Sequence, residues 1–184
     1  MKNKLKWILT LLFAKMFYKK AFLKGRHFSY RNSSGWRWIR KNIFMQKIVG
    51  INKEVPFPVD FRMRVVNWKN IDFDVDDMNI FQKVGNYYQA GEAKIHIGKG
   101  TQIANGVAII TANHDLKDIT VHSEAKDVLI GKECWIASNA VILPGVELGE
   151  HTIVGAGAVV TKSFPDGWCV IGGVPAKIIK RIQK

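Results

Sequence analysis

His114 stands between an amide and a carboxylate, in the phrase Asn113-His114-Asp115. Imidazole exchanges a proton close to working pH, so it suits the task of taking a hydroxyl proton while that oxygen attacks a carbonyl. Four other histidines are present, and His27, His122 and His151 read as surface groups. His96 precedes His114 by 18 residues, which predicts that the two stack and line one cleft. Asp118 and Glu124 are further acids on the stretch after His114, where single loop acids are usually solvated. Cys134 and Cys169 are too few for a disulfide framework or a cysteine zinc site, so a reducing compartment is expected. Gly155-Ala156-Gly157 has no βαβ unit around it and is no nucleotide-binding fingerprint.

The elements that must position these groups are legible as a repeat. Aliphatic residues recur every six positions, at Ile97, Ile103 and Ile109, then at Ile130, Ile136, Ile142, Leu148, Val154 and Val160. The next position is small at Gly98, Ala104, Gly131, Ala137, Gly149 and Gly155. Small or modest side chains also stand four residues after the aliphatics, at Thr101, Val107, Cys134, Ala140, Val146, Thr152 and Ala158. This period describes a short flat strand and a tight turn, and three of them close a coil of about 18 residues. Helical periodicity near 3.6 is missing from this segment. The predicted fold is mainly β, a β-solenoid. The interval from Ile109 to Ile130 is 21 residues, which predicts an extra loop of about that size with His114 at its start. Upstream, residues 59–65 and 71–76 alternate apolar and charged and predict strands that cover the end of the solenoid.

The chain has 184 residues with 28 Lys and Arg against 15 Asp and Glu, a net charge of +13. Its 47% hydrophobic and 23% charged content is that of a globular protein. Fourteen of the bases, and no acid, fall in residues 1–53, so a division into a basic extension over 1–54 and a solenoid over 55–184 is expected. The extension reads as an aromatic-rich helical segment, with helices over 4–24 and 36–49. Cations interleaved with Trp7, Phe17, Phe22, Trp36 and Trp38 suit an anionic lipid surface. Packing against the main domain or a neighbouring subunit, and contact with an anionic polymer, are the competing readings. Nucleic acid is not expected, as no binding motif accompanies the charge. Lys15, Lys19 and Lys20 interrupt the only long apolar run before it reaches the ~20 residues of a membrane span. No small-x-small cleavage site follows residues 9–17, so no secretory signal is expected. The expected location is cytoplasmic, with peripheral contact at the inner face of the cytoplasmic membrane.

Four phrases carry a resemblance: Ile110-Thr111-Ala112-Asn113-His114-Asp115, Cys134-Trp135-Ile136-Ala137-Ser138-Asn139-Ala140, Val154-Gly155-Ala156-Gly157-Ala158-Val159-Val160-Thr161-Lys162, and Gly172-Gly173-Val174-Pro175-Ala176-Lys177. In this order they resemble the hexapeptide-repeat acyltransferases, and most of all the O-acetyltransferases acting on sugars and surface saccharides. The resemblance covers about residues 55–184; residues 1–53 match no motif of it. It implies a left-handed parallel β-helix, a homotrimer with the site between two solenoids, and acetyl-CoA as co-substrate without a metal. His114 falls where the family places its catalytic base. Asn113, Asp115, Trp135 and His96 are then acceptor-site candidates, with Trp135 as a wall beside His114. Ser138, Ala156, Thr161, Lys162, Lys177 and Lys180 match coenzyme A positions, with Arg181 as a further cation. A short helix over 178–183 is expected to cap the last coil.

The resemblance therefore implies transfer of an acetyl group to a saccharide hydroxyl of a capsular, exopolysaccharide or lipopolysaccharide glycan or its precursor. N-acylation of an amino sugar is the alternative, since the same base could serve an amine. A γ-carbonic-anhydrase-like metal site fits poorly, because His114 and His122 are eight residues apart where that site needs five. A non-catalytic scaffold leaves His114 and Lys162 without a purpose.

Overall fold

A computed structural model describes residues 2–183, and side chains from residue 5 onward. Short strands stack into three walls of a coil. The first wall holds β1 (Arg64–Val66), β3 (Tyr87–Gln89), β6 (Ala108–Ile110), β9 (Val141–Ile142) and β12 (Val159–Val160). The second holds β2 (Ile71–Phe73), β4 (Ile95–Ile97), β7 (Val128–Ile130) and β10 (Glu147–Leu148). The third holds β5 (Gln102–Ile103), β8 (Trp135–Ile136), β11 (Thr152–Val154), β13 (Cys169–Gly172) and β14 (Lys177–Arg181). Neighbours within a wall are parallel, save that β14 runs antiparallel to β13.

The repeat explains this winding. Each of the nine hexad aliphatics is 5% exposed or less, and the second column from Thr101 to Ala158 is buried with them. Stacked coils leave no room at the corners. A Cβ added at Gly131 would lie 2.6 Å from the Glu150 nitrogen, and one at Gly98 2.4 Å from the Gly131 carbonyl carbon, so stacking requires glycine at these corners. The solenoid begins earlier than its hexads: β1, β2 and β3 form rungs under β3, β4 and β6. The alternating segments 59–65 and 71–76 supply only β1 and β2. Residues Val75–Phe81 turn into a 3-10 helix that occupies the third-wall side and bonds to β5 through Asn79 and Gln102 (3.1 Å).

Register measures the interruption. Ile97, Ile103 and Ile109 pair with Ile130, Ile136 and Ile142, 33 residues on, whereas Ile136 pairs with Val154 after 18. The loop therefore adds 15 residues to one coil, fewer than the 21-residue interval.

The extension contains α1 (Lys2–Phe17), a 3-10 turn over Lys20–Phe22, and α2 (Ser34–Ile43). A π-helix over Phe44–Val49 prolongs α2 and stops at Gly50, whose φ is 101°. These elements share the solenoid's core through aromatic contacts. Phe22 meets Phe57 at 4.9 Å, Phe57 meets Phe81 at 4.8 Å, and Trp36 lies 5.0 Å from both Trp7 and Phe28. Gln46 fixes the joint, since its Oε1 accepts from Tyr18 Oη at 3.0 Å and its Nε2 donates to the Phe57 carbonyl at 2.9 Å.

The expected helix over 178–183 is not there. Residues Lys177–Arg181 form β14, which turns back on β13. The last coil offers an open strand edge at β13, and two β-branched residues, Ile178 and Ile179, favour filling it as a strand.

Asp60 ties the helices to the first coil. Its carboxylate is buried and accepts from Arg62 Nη2 and from Lys41 Nζ of α2, both at 2.8 Å. Burial alone would raise its affinity for a proton; the bonds from Arg62 and Lys41 outweigh it and hold the carboxyl well below the usual range. Asp60→Ala is expected to destabilise the protein by about 2 kcal/mol in urea unfolding, as the half-exposed cations left behind rehydrate. The folded pKa lies below the unfolded one, so this contribution is complete above 3.8 and fades as pH falls through the folded value.

Candidate functional site

The inserted loop is pinned at its base. Thr111, just after β6, is buried, and its Oγ1 donates to the Gln89 carbonyl of the preceding coil at 2.9 Å. On the return side Lys126 N donates to the Thr111 carbonyl at 2.8 Å, and Asp127 Oδ1 accepts from Lys94 N at 2.7 Å. Between these anchors the loop folds on itself. Ser123 N donates to the Asn113 carbonyl and Asp115 N to the Val121 carbonyl, both at 2.8 Å.

This pairing brings His114 opposite His122, in an antiparallel bridge with ring centroids 4.8 Å apart. Both imidazoles are exposed to solvent. Asp115 faces its own turn, where Oδ1 accepts from Lys117 N at 2.8 Å and Asp118 N at 3.1 Å. Those bonds hold its carboxyl below the usual range. Asp118 does the same for Thr120, through Oδ1 at 2.6 Å from Oγ1. Asn113 is exposed beside the base, while Glu124 is an exposed loop acid.

His96 does not stack on His114. The 15 added residues shift the register, so β4 places His96 between Asp72 below and Leu129 above. Its Nδ1 lies 2.9 Å from Asp72 Oδ2 and its Nε2 3.8 Å from Asp127 Oδ2. His96 is thus held by two carboxylates on the second wall, near the foot of the loop.

The matched coenzyme positions gather elsewhere. Ser138 and Ala156 occupy the same corner in successive coils, where Gly157 N donates to the Ser138 carbonyl at 2.9 Å. Both are exposed. Thr161 and Lys162 follow β12, and Lys162 Nζ stands 5.8 Å from the Phe164 ring. Lys162 and Arg181 line one hollow of about 250 Å³ together with Asp166 and Ile178. Lys177 and Lys180 lie exposed along β14. Trp135 stands on β8, 53% exposed, in the third wall rather than beside His114 in the same chain.

Distance along the first wall separates the two groups. The loop leaves after β6, level with Pro144, whereas the Ser138 corner precedes β9. Strand β9 lies between these two levels, after the turn at Ser138-Asn139, where Asn139 has a φ of 60°. One chain therefore presents the imidazole at one edge of a wall and the corner at the other. His122 was not visible as a partner in the sequence, because the loop lies outside the six-residue register. Among the described residues no group of three His, Cys, Asp or Glu is placed to hold a metal ion.

Residues 127–162 match the family model of the bacterial transferase hexapeptide (six repeats), so the chain carries that repeat. Two curated relatives from Escherichia coli (strain K12) align with it. WbbJ, whose name refers to lipopolysaccharide biosynthesis and O-acetyl transfer, is 36% identical over 103 residues, covering 47% of this chain and 50% of the relative. Galactoside O-acetyltransferase is 34% identical over 97 residues, covering 48% and 45%. The match thus spans about half the length of the curated relatives. A maltose O-acetyltransferase structure from Clostridium difficile 630 superposes over 97% of this chain and 87% of its own, with a TM-score of 0.50 and 22% identity, which shows a common fold.

The turn bonds at Asp115 make a specific demand on the loop. Asp115→Ala is expected to speed limited proteolysis within residues 115–123 while leaving the urea midpoint unchanged, because the loop lies outside the core.

Proposed function

We propose that this chain, which carries the bacterial transferase hexapeptide repeat, is an acetyl-CoA-dependent O-acetyltransferase that acts on a saccharide hydroxyl. The acceptor class is a capsular, exopolysaccharide or lipopolysaccharide glycan or its precursor. One observation carries the reading: an exposed imidazole, His114, is held at the foot of a loop pinned through Thr111 and Lys126. The name of WbbJ supports the lipopolysaccharide class, and that of the galactoside O-acetyltransferase supports a saccharide acceptor in general.

In this reading His114 takes the acceptor's hydroxyl proton as the oxygen attacks the thioester carbonyl. The carbon–oxygen bond forms, a tetrahedral oxyanion collapses, and the carbon–sulfur bond breaks. The imidazolium then returns the proton to the leaving thiolate. The N–H of Ser138 itself is suited to stabilise the oxyanion, a contribution of about 3 kcal/mol, since the flanking Ala137 and Asn139 N–H groups donate to the Val154 and Asn105 carbonyls. Ser138, Ala156 and Thr161 leave room for the pantetheine arm, and Lys162, Lys177 and Lys180 meet the phosphates of coenzyme A. Asn113, exposed beside the base, and Trp135 of a neighbouring copy line the acceptor side, while Asp115 holds the loop turn and His96, tied to Asp72 and Asp127, stays outside it.

The separation of His114 from the Ser138 corner supports assembly. If the base and the thioester cannot meet on one chain, a neighbouring copy must bring the second, and a homotrimer of left-handed β-helices does so at each of its three interfaces. The half-exposed Trp135 ring would then reach the partner's His114. Location belongs to the same reading: no described helix is long and apolar enough to cross a membrane, and the cationic extension suits peripheral contact with an anionic bilayer facing the cytoplasm.

Two measurements test this. Incubating candidate glycans with acetyl-CoA and the protein should add one acetyl mass, removable by mild alkali as an ester; an alkali-stable acetyl would assign amide formation instead. His114→Ala should lower turnover about 10²- to 10⁴-fold with an unchanged circular-dichroism spectrum. Unchanged turnover would remove His114 from the chemistry.

A further inference from the structure

Helix α1 is apolar on two sides, and the fold uses only one. Thr10 and Ala14 are buried, and Trp7, Leu11 and Phe17 pack partly buried against the core. On the other side Leu5, Ile8, Leu9, Leu12, Phe13 and Met16 are each 43–70% exposed. Their steps of three and one place them in a single stripe along the helix.

That stripe borders a trough between α1 and α2. One end is a hollow of about 430 Å³ lined by Lys6, Trp7, Arg31, Asn32 and Arg40. The Arg31 guanidinium stacks 5.4 Å over the Trp7 ring, which is itself braced edge-on by Trp36. The other end is an apolar hollow of about 460 Å³, where Leu9, Phe13, Ile39 and Ile43 line the floor beside Lys6 and Arg40. Lys6 and Arg40 belong to both, so three cations and a hydrocarbon groove form one continuous surface. Among the described residues lining it there is no carboxylate, and residues 1–53 contain none.

We propose that this trough binds an anionic phospholipid at a membrane surface. The lipid phosphate sits against Lys6, Arg31 and Arg40, and an acyl chain lies along Leu9, Phe13, Ile39 and Ile43. Helix α1 then rests in the interface with its exposed stripe toward the hydrocarbon. A free phosphate would use only the cationic end and leave six apolar side chains in water. A second copy docked through the same face would set Lys6, Arg31 and Arg40 against the same three cations, a like-charge contact. The inference rests on the membrane part of the proposed function and is independent of the transfer chemistry.

The test is sedimentation of the full chain with phosphatidylcholine vesicles, with and without phosphatidylglycerol. Binding is expected only to the anionic vesicles. The double substitution Lys6→Gln with Arg40→Gln should weaken it about 25-fold, at ~1 kcal/mol or fivefold per cation. Lys24→Gln with Lys53→Gln removes equal charge outside both hollows and should cost clearly less. Phe13→Glu, on the exposed stripe, should abolish binding while the circular-dichroism spectrum stays native. Equal losses from the two charge pairs would overturn the trough while keeping general electrostatic contact. No binding to either vesicle would overturn both the trough and the membrane location, yet leave acetyl transfer standing. Competition by inorganic phosphate would reassign the cations to a soluble anion, and a changed oligomeric state in Phe13→Glu would reassign the stripe to a second copy.

Discussion

Vertical stacking is the constraint on which the rest of this molecule depends. Each coil satisfies its backbone by bonding to the next, as when Ala104 N donates to the Ile136 carbonyl and Ala137 N to the Val154 carbonyl, both at 2.9 Å. A single coil has neither enough apolar surface nor enough partners to stand alone. Stacking forces every inward position to lie over its counterpart, which is why one aliphatic per hexad suffices and why Gly131 tolerates no side chain. The same alignment sets Ser138 under Ala156 at one corner, with no contact between their side chains required.

The candidate chemistry appears where stacking is relaxed. Between Thr111 and Lys126 the chain leaves the ladder, and its polar groups are answered locally by Asp115, Asp118 and Ser123. The base of this excursion is as firmly bonded as the solenoid itself, through Gln89 on one side and Asp127 on the other. An exposed imidazole can therefore be carried on an irregular segment without loss of its position relative to the walls.

The sequence disclosed the parts governed by this stacking and concealed the parts that are not. The hexads fixed the walls, the corners and the point where the loop departs, because a period of six leaves a mark on every turn. The position of His96 was misjudged because the size of a loop does not reveal how many residues still serve the coil; only pairing distinguishes 15 from 21. His122 was overlooked since hairpin pairing inside a loop carries no period. The last strand was mistaken for a helix because Lys177 to Arg181 has the composition of either, and the unfilled edge of β13 decides it. In the extension, the two-sided apolarity of α1 blurred its helical wheel. One side answers to Tyr18, Trp36 and Phe57, residues far apart in sequence, and only their meeting in space separates the packed face from the open one.

The reversal at β14 also bears on how such a molecule stays finite. A ladder of parallel rungs is open-ended, and its final rung resembles the first rung of any other copy. By folding back against β13 with Lys177, Lys180 and Arg181 outward, the chain replaces a flat template with a short, charged, oppositely directed border. Filament growth by end-to-end addition is thereby discouraged along that wall, and association is steered toward the sides of the prism.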